Sequence, residues 1–136
     1  MLLAWRNDEQ TRLMSIDTEP VPEDAHQRWL AASLASADRH LFVAEVDGVP
    51  VGTTRLDRRD GGWEISITVA PEARGAGHGR QLLDMTAEWF DENIGEGVIL
   101  STIKPSNPAS LSLFTKIGYV VVAEDDQLVH LELRRD

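Results

Sequence analysis

Val69-Ala70-Pro71-Glu72-Ala73-Arg74-Gly75-Ala76-Gly77-His78-Gly79-Arg80-Gln81-Leu82-Leu83 reads as the end of a strand, a glycine-rich turn and the start of a helix. Just upstream, apolar Trp63, Ile65, Ile67 and Val69 alternate with polar Glu64, Ser66 and Thr68, the period of a strand. Pro71 has no N–H to donate and ends the ladder. Gly75, Gly77 and Gly79 let the backbone approach another group closely. Downstream the period becomes helical: Leu83, Ala87 and Phe90 follow one another at i, i+4, i+7, with Leu82 and Trp89 beside them. A helix whose first amides emerge from a loop bare of side chains is an anion site, and phosphate is the anion expected.

Two familiar phosphate loops fail on the residues. A P-loop needs Gly-Lys-Ser/Thr at the helix start, where this chain has Gly79-Arg80-Gln81. A dinucleotide fingerprint needs a third glycine where Arg80 stands and opens a βαβ unit, whereas this loop follows several strands. Arg74-Gly75-Ala76-Gly77-His78-Gly79 does fit Arg/Gln-x-x-Gly-x-Gly/Ala, and so resembles the pyrophosphate loop of the GNAT acetyltransferase superfamily. Taken alone, the loop also reads as a plain tight connection between strand and helix.

Asn107-Pro108-Ala109-Ser110-Leu111-Ser112-Leu113-Phe114-Thr115-Lys116-Ile117-Gly118-Tyr119 adds a second, separate signal. Asn107 suits an N-cap, Pro108 the first helical position and Gly118 the residue just past the end, so a short helix is predicted on local grounds. Asn-x-x-Ser/Ala-x-x-x-aromatic-x-x-x-Gly-aromatic is also similar to the second cofactor motif of the same superfamily. The resemblance implies acetyl-CoA as cosubstrate, with no metal. It implies cofactor contacts at Val69, Ala70, Arg74, Gly75, Ala76, Gly77, His78, Gly79, Arg80, Asn107, Ser110 and Phe114.

Composition bounds the rest. A chain of 136 residues is long enough for one domain with a real core and too short for two. It has no cysteine, hence neither a disulfide framework nor a protein thiol for chemistry. No signal peptide or membrane-length apolar run is read at either end, so a cytoplasmic protein is expected. The net charge of −10 argues against nucleic acid and anionic membrane as partners. Binding a polyanionic cofactor is then a local matter for Arg74, His78 and Arg80.

Along the chain, helices are predicted over residues 1–14 and 23–37, then a hairpin of strands 41–46 and 51–56 turned at Asp47-Gly48. A turn at 58–62, the strand 63–69, the long helix, a strand 97–103, the helix 107–117 and strands 119–123 and 128–133 complete the order ααβββαβαββ. The fold class is α/β (α+β), a mixed, mostly antiparallel sheet flanked by helices over 1–136. Domains of this superfamily usually open with a strand. That strand is missing here, or was removed by the choice of start codon, and a homodimer or an unusually short sheet is the expectation.

Trp5-Arg6-Asn7-Asp8 and Glu23-Asp24-Ala25-His26-Gln27-Arg28-Trp29 resemble members that acetylate nucleotide-linked amino sugars, the pseudaminic-acid pathway type. That resemblance puts Arg6, Asn7, His26 and Trp29 near a small-molecule amine acceptor. Arginine can hold a diphosphate or carboxylate bidentately, and tryptophan can stack on a sugar or base. In such a transfer a neutral amine attacks a thioester, and a backbone N–H at Val69 or beside it is the implied oxyanion donor. Glu64, on the polar line of its strand, is a candidate general base, and His26 competes with it. Many members carry a tyrosine acid where this chain has Phe114, and the chain's one tyrosine, Tyr119, falls at a position that usually packs in the core. Three readings follow: an amino-sugar N-acetyltransferase, a protein or peptide N-acetyltransferase, or a non-catalytic acyl-CoA-binding module.

Overall fold

The computed structural model describes residues 2–8, 19–73 and 77–136. Helices α1 (Leu2–Asn7) and α2 (Glu23–Ala35) precede strands β1 (Arg39–Val46), β2 (Val49–Arg59) and β3 (Gly62–Val69). A 3-10 turn (Pro71–Ala73) leads to α3 (His78–Asn93), β4 (Gly97–Ile103), α4 (Pro108–Lys116), β5 (Val120–Glu124) and β6 (Val129–Arg135). The sheet order is β1-β2-β3-β4-β6-β5, antiparallel throughout except for β3 beside β4. The predicted order therefore holds. The first helix ends at Asn7, residues 9–14 of the predicted one lie outside the described residues, and β2 runs on through residues predicted as a turn. Among the described residues no strand precedes α1, and the outer edge of β1 is unpaired. No described helix is long and apolar enough to cross a membrane.

Strand alternation gives the sheet two unlike faces. On one face the register aligns Phe42 with Thr54 and Ile67, and His40 with Leu56 and Ile65. Against it α3 packs Leu83 and Phe90, which join Leu56, Ile65, Ile99 and Leu131 in the core. Trp89 closes over Phe42 and His40 at ring distances of 4.8 and 4.7 Å. Thr54 and Thr86 satisfy one another there through a 2.7 Å hydroxyl contact. Gly52 makes room beneath α3: a Cβ there would lie 2.7 Å from Leu82 Cδ1 of the helix and 2.6 Å from the Thr68 carbonyl oxygen of β3. The other face aligns Arg39, Asp57 and Glu64; Leu41, Arg55 and Ser66; and Val43, Thr53 and Thr68. This polar face lies under α1 and α2 and carries the candidate site.

Tyr119 is buried, edge-on to Phe114 with ring centroids 4.9 Å apart. Burial lifts its hydroxyl well above the ordinary value of 10.0, against a weaker opposing pull from Arg135. The folded form thus holds the phenol proton more tightly than the unfolded chain. This stability is complete below about pH 10 and is lost as pH rises further. Urea midpoints from about pH 8 to about pH 11 should fall for the parent and fall less for Tyr119→Phe; equal slopes would assign the alkaline loss to other groups.

Candidate active site

The site begins where a ladder stops. β3 and β4 are paired only at Trp63 with Ile99 and Glu64 with Leu100. Beyond that point the strands diverge, while β3 keeps its register with β2 and β4 keeps its register with β6. Ala70 N–H donates to Val51 O at 2.8 Å, so its amide points toward β2. Successive amides of a strand alternate in direction, so the Val69 and Ile67 amides face the gap on the β4 side. Of the two amides expected at the cofactor, Ala70's is therefore committed to the sheet, and Val69's is turned to the β4 side, beyond the last β3–β4 pair.

A cavity of about 400 Å³ fills that opening, lined by Ile67 and Thr68 from β3, Ser101 and Ile103 from β4, and Asn107, Ser110 and Phe114 from α4. The helix α4 is set by its own cap: Asn107 Oδ1 accepts from Ser110 N at 3.3 Å, and Pro108 follows in the first turn. Asn107, Ser110 and Phe114 of the second motif thus share one cavity wall. Phe114 lines the cavity and Tyr119 stands behind it, so the one phenol of the chain does not reach the opening.

The glycine-rich turn is described only from Gly77; Arg74, Gly75 and Ala76 lie outside the described residues. Gly77 is the N-cap of α3 with φ of 80°, a left-handed conformation that suits glycine, and no side chain caps the helix. The N-cap therefore supplies no side-chain acceptor to the first amides of this sixteen-residue helix. Gly79 seats the helix start against Leu113 of α4, with a Cβ position 3.0 Å from Leu113 Cδ2. His78 Nδ1 lies 3.1 Å from Gln81 Oε1, and Arg80 is exposed with Asp84 at 3.8 Å. An anionic cofactor fits this combination of an uncapped helix start and a strand amide turned to the β4 side.

On the α1 and α2 side lies a second cavity of about 380 Å³, walled by Trp5, Arg6, Val21, His26, Trp29 and Leu41 over Thr53, Arg55, Ser66 and Thr68. Arg6, Arg55, Ser66 and Thr68 line both cavities, so the two meet across β3. Of the predicted acceptor residues, Arg6, His26 and Trp29 are brought together here. Asn7 instead braces the wall: its side chain donates to Val21 O at 2.8 Å and accepts from Val21 N at 2.6 Å. Glu64 lines the first cavity, where Arg59 Nε donates to it at 3.2 Å.

Sequence reading missed the group that organises this side. Asp57 is 2% exposed and holds Arg39 Nε on one oxygen and Arg55 Nε on the other, the latter at 2.8 Å, with Arg59 at 3.6 Å. Arg39 also donates to Ser33 at 3.0 Å, which ties α2 to the sheet. Both guanidiniums lie over the Trp29 indole, at 5.6 and 5.3 Å from its centroid, within cation–π range. The signal is Arg55-x-Asp57-x-Arg59, three charges on one strand face, which runs past the predicted strand end at Leu56.

The comparisons with known proteins agree with this geometry. A model of the Acetyltransferase (GNAT) family matches residues 2–119. The chain belongs to the GNAT acetyltransferase family. Among solved structures, spermidine N-acetyltransferase from Vibrio cholerae in complex with CoA and spermine superimposes with a TM-score of 0.88, at 15% identity over 98% of this chain and 88% of that one. Ribosomal-protein-alanine N-acetyltransferase from Brucella melitensis gives a TM-score of 0.81, at 26% identity over 98% and 91%. Campylobacter jejuni N-acetyltransferase PseH with acetyl coenzyme A gives 0.78, at 15% identity over 100% and 89%. An uncharacterized N-acetyltransferase of Bacillus subtilis, YobR, is 39% identical over 59 residues, and that match spans 43% of this chain and 24% of YobR. The splayed six-stranded sheet and its flanking helices are thus the GNAT fold.

Asp57→Asn would remove the charge that holds Arg39 and Arg55. Breaking a pair with one buried partner should cost about 3 kcal/mol, at the low end because both guanidiniums keep some exposure. A lower urea midpoint is expected, with weaker quenching of Trp29 by its guanidinium neighbours; an unchanged midpoint would show that the cluster is held some other way.

Proposed function

We propose that this chain transfers the acetyl group of acetyl-CoA to the primary amine of a small molecule, an amino sugar or nucleotide-linked amino sugar. The observation that carries the reading is the junction at β3, where Ser66 and Thr68 line both a cofactor-like cavity and an acceptor-like one beside the stretch where β3 and β4 are no longer paired. Acetyl-CoA would supply the thioester; the α3 start, Asn107 and Ser110 would hold it. The Val69 N–H is a preaimed donor for the oxyanion, a type of interaction worth ~2.7–4 kcal/mol in kcat. Because Phe114 occupies the usual acid position, the thiolate leaves unaided by a phenol, consistent with a thiol pKa of about 8.5. A cytoplasmic protein belongs to the same reading.

Two observations favour His26 over Glu64 as the base. Glu64 precedes Val69 by five residues, about 16 Å along a strand, and is engaged by Arg59. His26 lines the acceptor cavity itself, beside Trp29 at 5.5 Å. We therefore assign the amine proton to His26 and a supporting role to Glu64. With acetyl-CoA and a panel of amines, free thiol should appear. His26→Gln should lower kcat about a hundredfold while leaving CoA affinity unchanged, and Glu64→Gln should lower it less than about tenfold. The opposite order would return the role to Glu64. Tight CoA binding with no thiol from any amine would favour the binding-module reading.

A homodimer is also proposed, on the unpaired edge of β1 and the exposed Val120 and Val122 of edge strand β5. Sedimentation velocity should give twice the monomer mass; a monomer at about 100 μM would remove this part.

A further inference from the structure

The proposal above leaves neutral and phosphate-bearing acceptors on an equal footing, and the charges around the cavity separate them. The chain as a whole is acidic, with 23 Asp and Glu against 13 Lys and Arg. The acceptor-side cavity reverses that balance: Arg6, Arg55 and His26 line it, and among the described residues no carboxylate does. Behind its wall the two nearby carboxylates, Asp57 and Glu64, are both engaged by guanidiniums.

Arg55 is built to meet an anion. Asp57 takes its Nε at 2.8 Å and Ser66 lies 3.4 Å from one terminal nitrogen, leaving the rest of the fork for a ligand. The guanidinium is also stacked over Trp29. It is thus oriented before anything binds, which lowers the ordering cost of recognition. Arginine placed in this way suits the planar, bidentate geometry of carboxylate and phosphate.

We infer that the acceptor is an amine that also carries a carboxylate or phosphate, and that Arg55, with Arg6, selects it; this rests on the acetyl-transfer reading above. The same positive wall acts on the nucleophile. Nearby guanidiniums disfavour an ammonium ion and favour the neutral amine that attacks. A polyamine, such as the spermine bound in the Vibrio cholerae structure, would bring cationic charge to a wall that repels it.

The test uses matched pairs that differ by the anion: glucosamine against glucosamine 6-phosphate, and serinol against serine, with spermidine as the cationic control. Free thiol is followed at low salt. The anionic partner of at least one pair should show kcat/KM about tenfold or more above its neutral partner, and spermidine should be poorest. The first pair reports phosphate and the second carboxylate. Arg55→Gln and, separately, Arg6→Gln should shrink that advantage mainly through KM, and added salt should shrink it in the parent. If no amine turns over, calorimetric titration of the same pairs decides. Tighter binding of an anionic partner, lost in Arg55→Gln, supports the inference. Equal behaviour within both pairs, or preference for spermidine, overturns it. Failure to bind CoA would instead fall on the acetyl-transfer reading, because the pairs can still be titrated without it.

Discussion

Where β3 and β4 diverge, two strands forgo hydrogen bonds that a continuous sheet would make, and the candidate site is the consequence. Backbone amides away from water are costly to leave unpaired, so an opening in the middle of a sheet persists only if each strand is held from its other side. That condition is met: β3 stays in register with β2 along its whole length, and β4 does the same with β6. The gap is therefore a fixed feature. Its amides, Val69 foremost, are aimed before any ligand arrives. Preorganisation of this kind is what makes a backbone donor effective at a developing charge.

The second constraint is Asp57. A carboxylate at 2% exposure needs partners, and three arginines from β1 and β2 supply them. The arrangement does more than neutralise a buried charge. It fixes Arg39 and Arg55 over the Trp29 ring and draws α2, through Ser33, onto the sheet. Helix position, aromatic wall and cationic wall are thus set by one side chain. The chain's overall acidity has no bearing at this distance, because exposed charges elsewhere are screened within about 10 Å.

Much of the molecule was legible before the coordinates. The strand 97–103 and the Asn107-capped helix came out as read, and so did the Asp47-Gly48 hairpin, whose residues take φ of 53° and 78°. These features rest on short-range causes: alternation, capping, and the tolerance of Asp and Gly for positive φ. The cofactor motifs were likewise local, and the structure brings Asn107, Ser110 and Phe114 to one cavity. The bracing bonds of Asn7 were not legible because their partner, Val21, is fourteen residues away and offers only backbone. Asp57 was missed because Asp57-Arg58-Arg59 before a turn looks like a solvated strand end, and Arg55 because the carboxylate it holds lay beyond the predicted strand.

From the chain alone came the order of elements, the helix-start loop and the family it resembles, because periodicity, caps and glycine placement act over a few residues. Tertiary structure decided which amide is available and which charge is buried. Ala70 gives its N–H to Val51, and Val69 turns its own to the side where β4 has parted from β3, a difference that depends on the strand lying alongside. Asp57 becomes the hub of the acceptor side only when β1 and β2 carry Arg39 and Arg55 to it beneath α2. Hydrogen-bond direction and desolvation depend on neighbours distant in sequence, and those neighbours exist only once the sheet has formed.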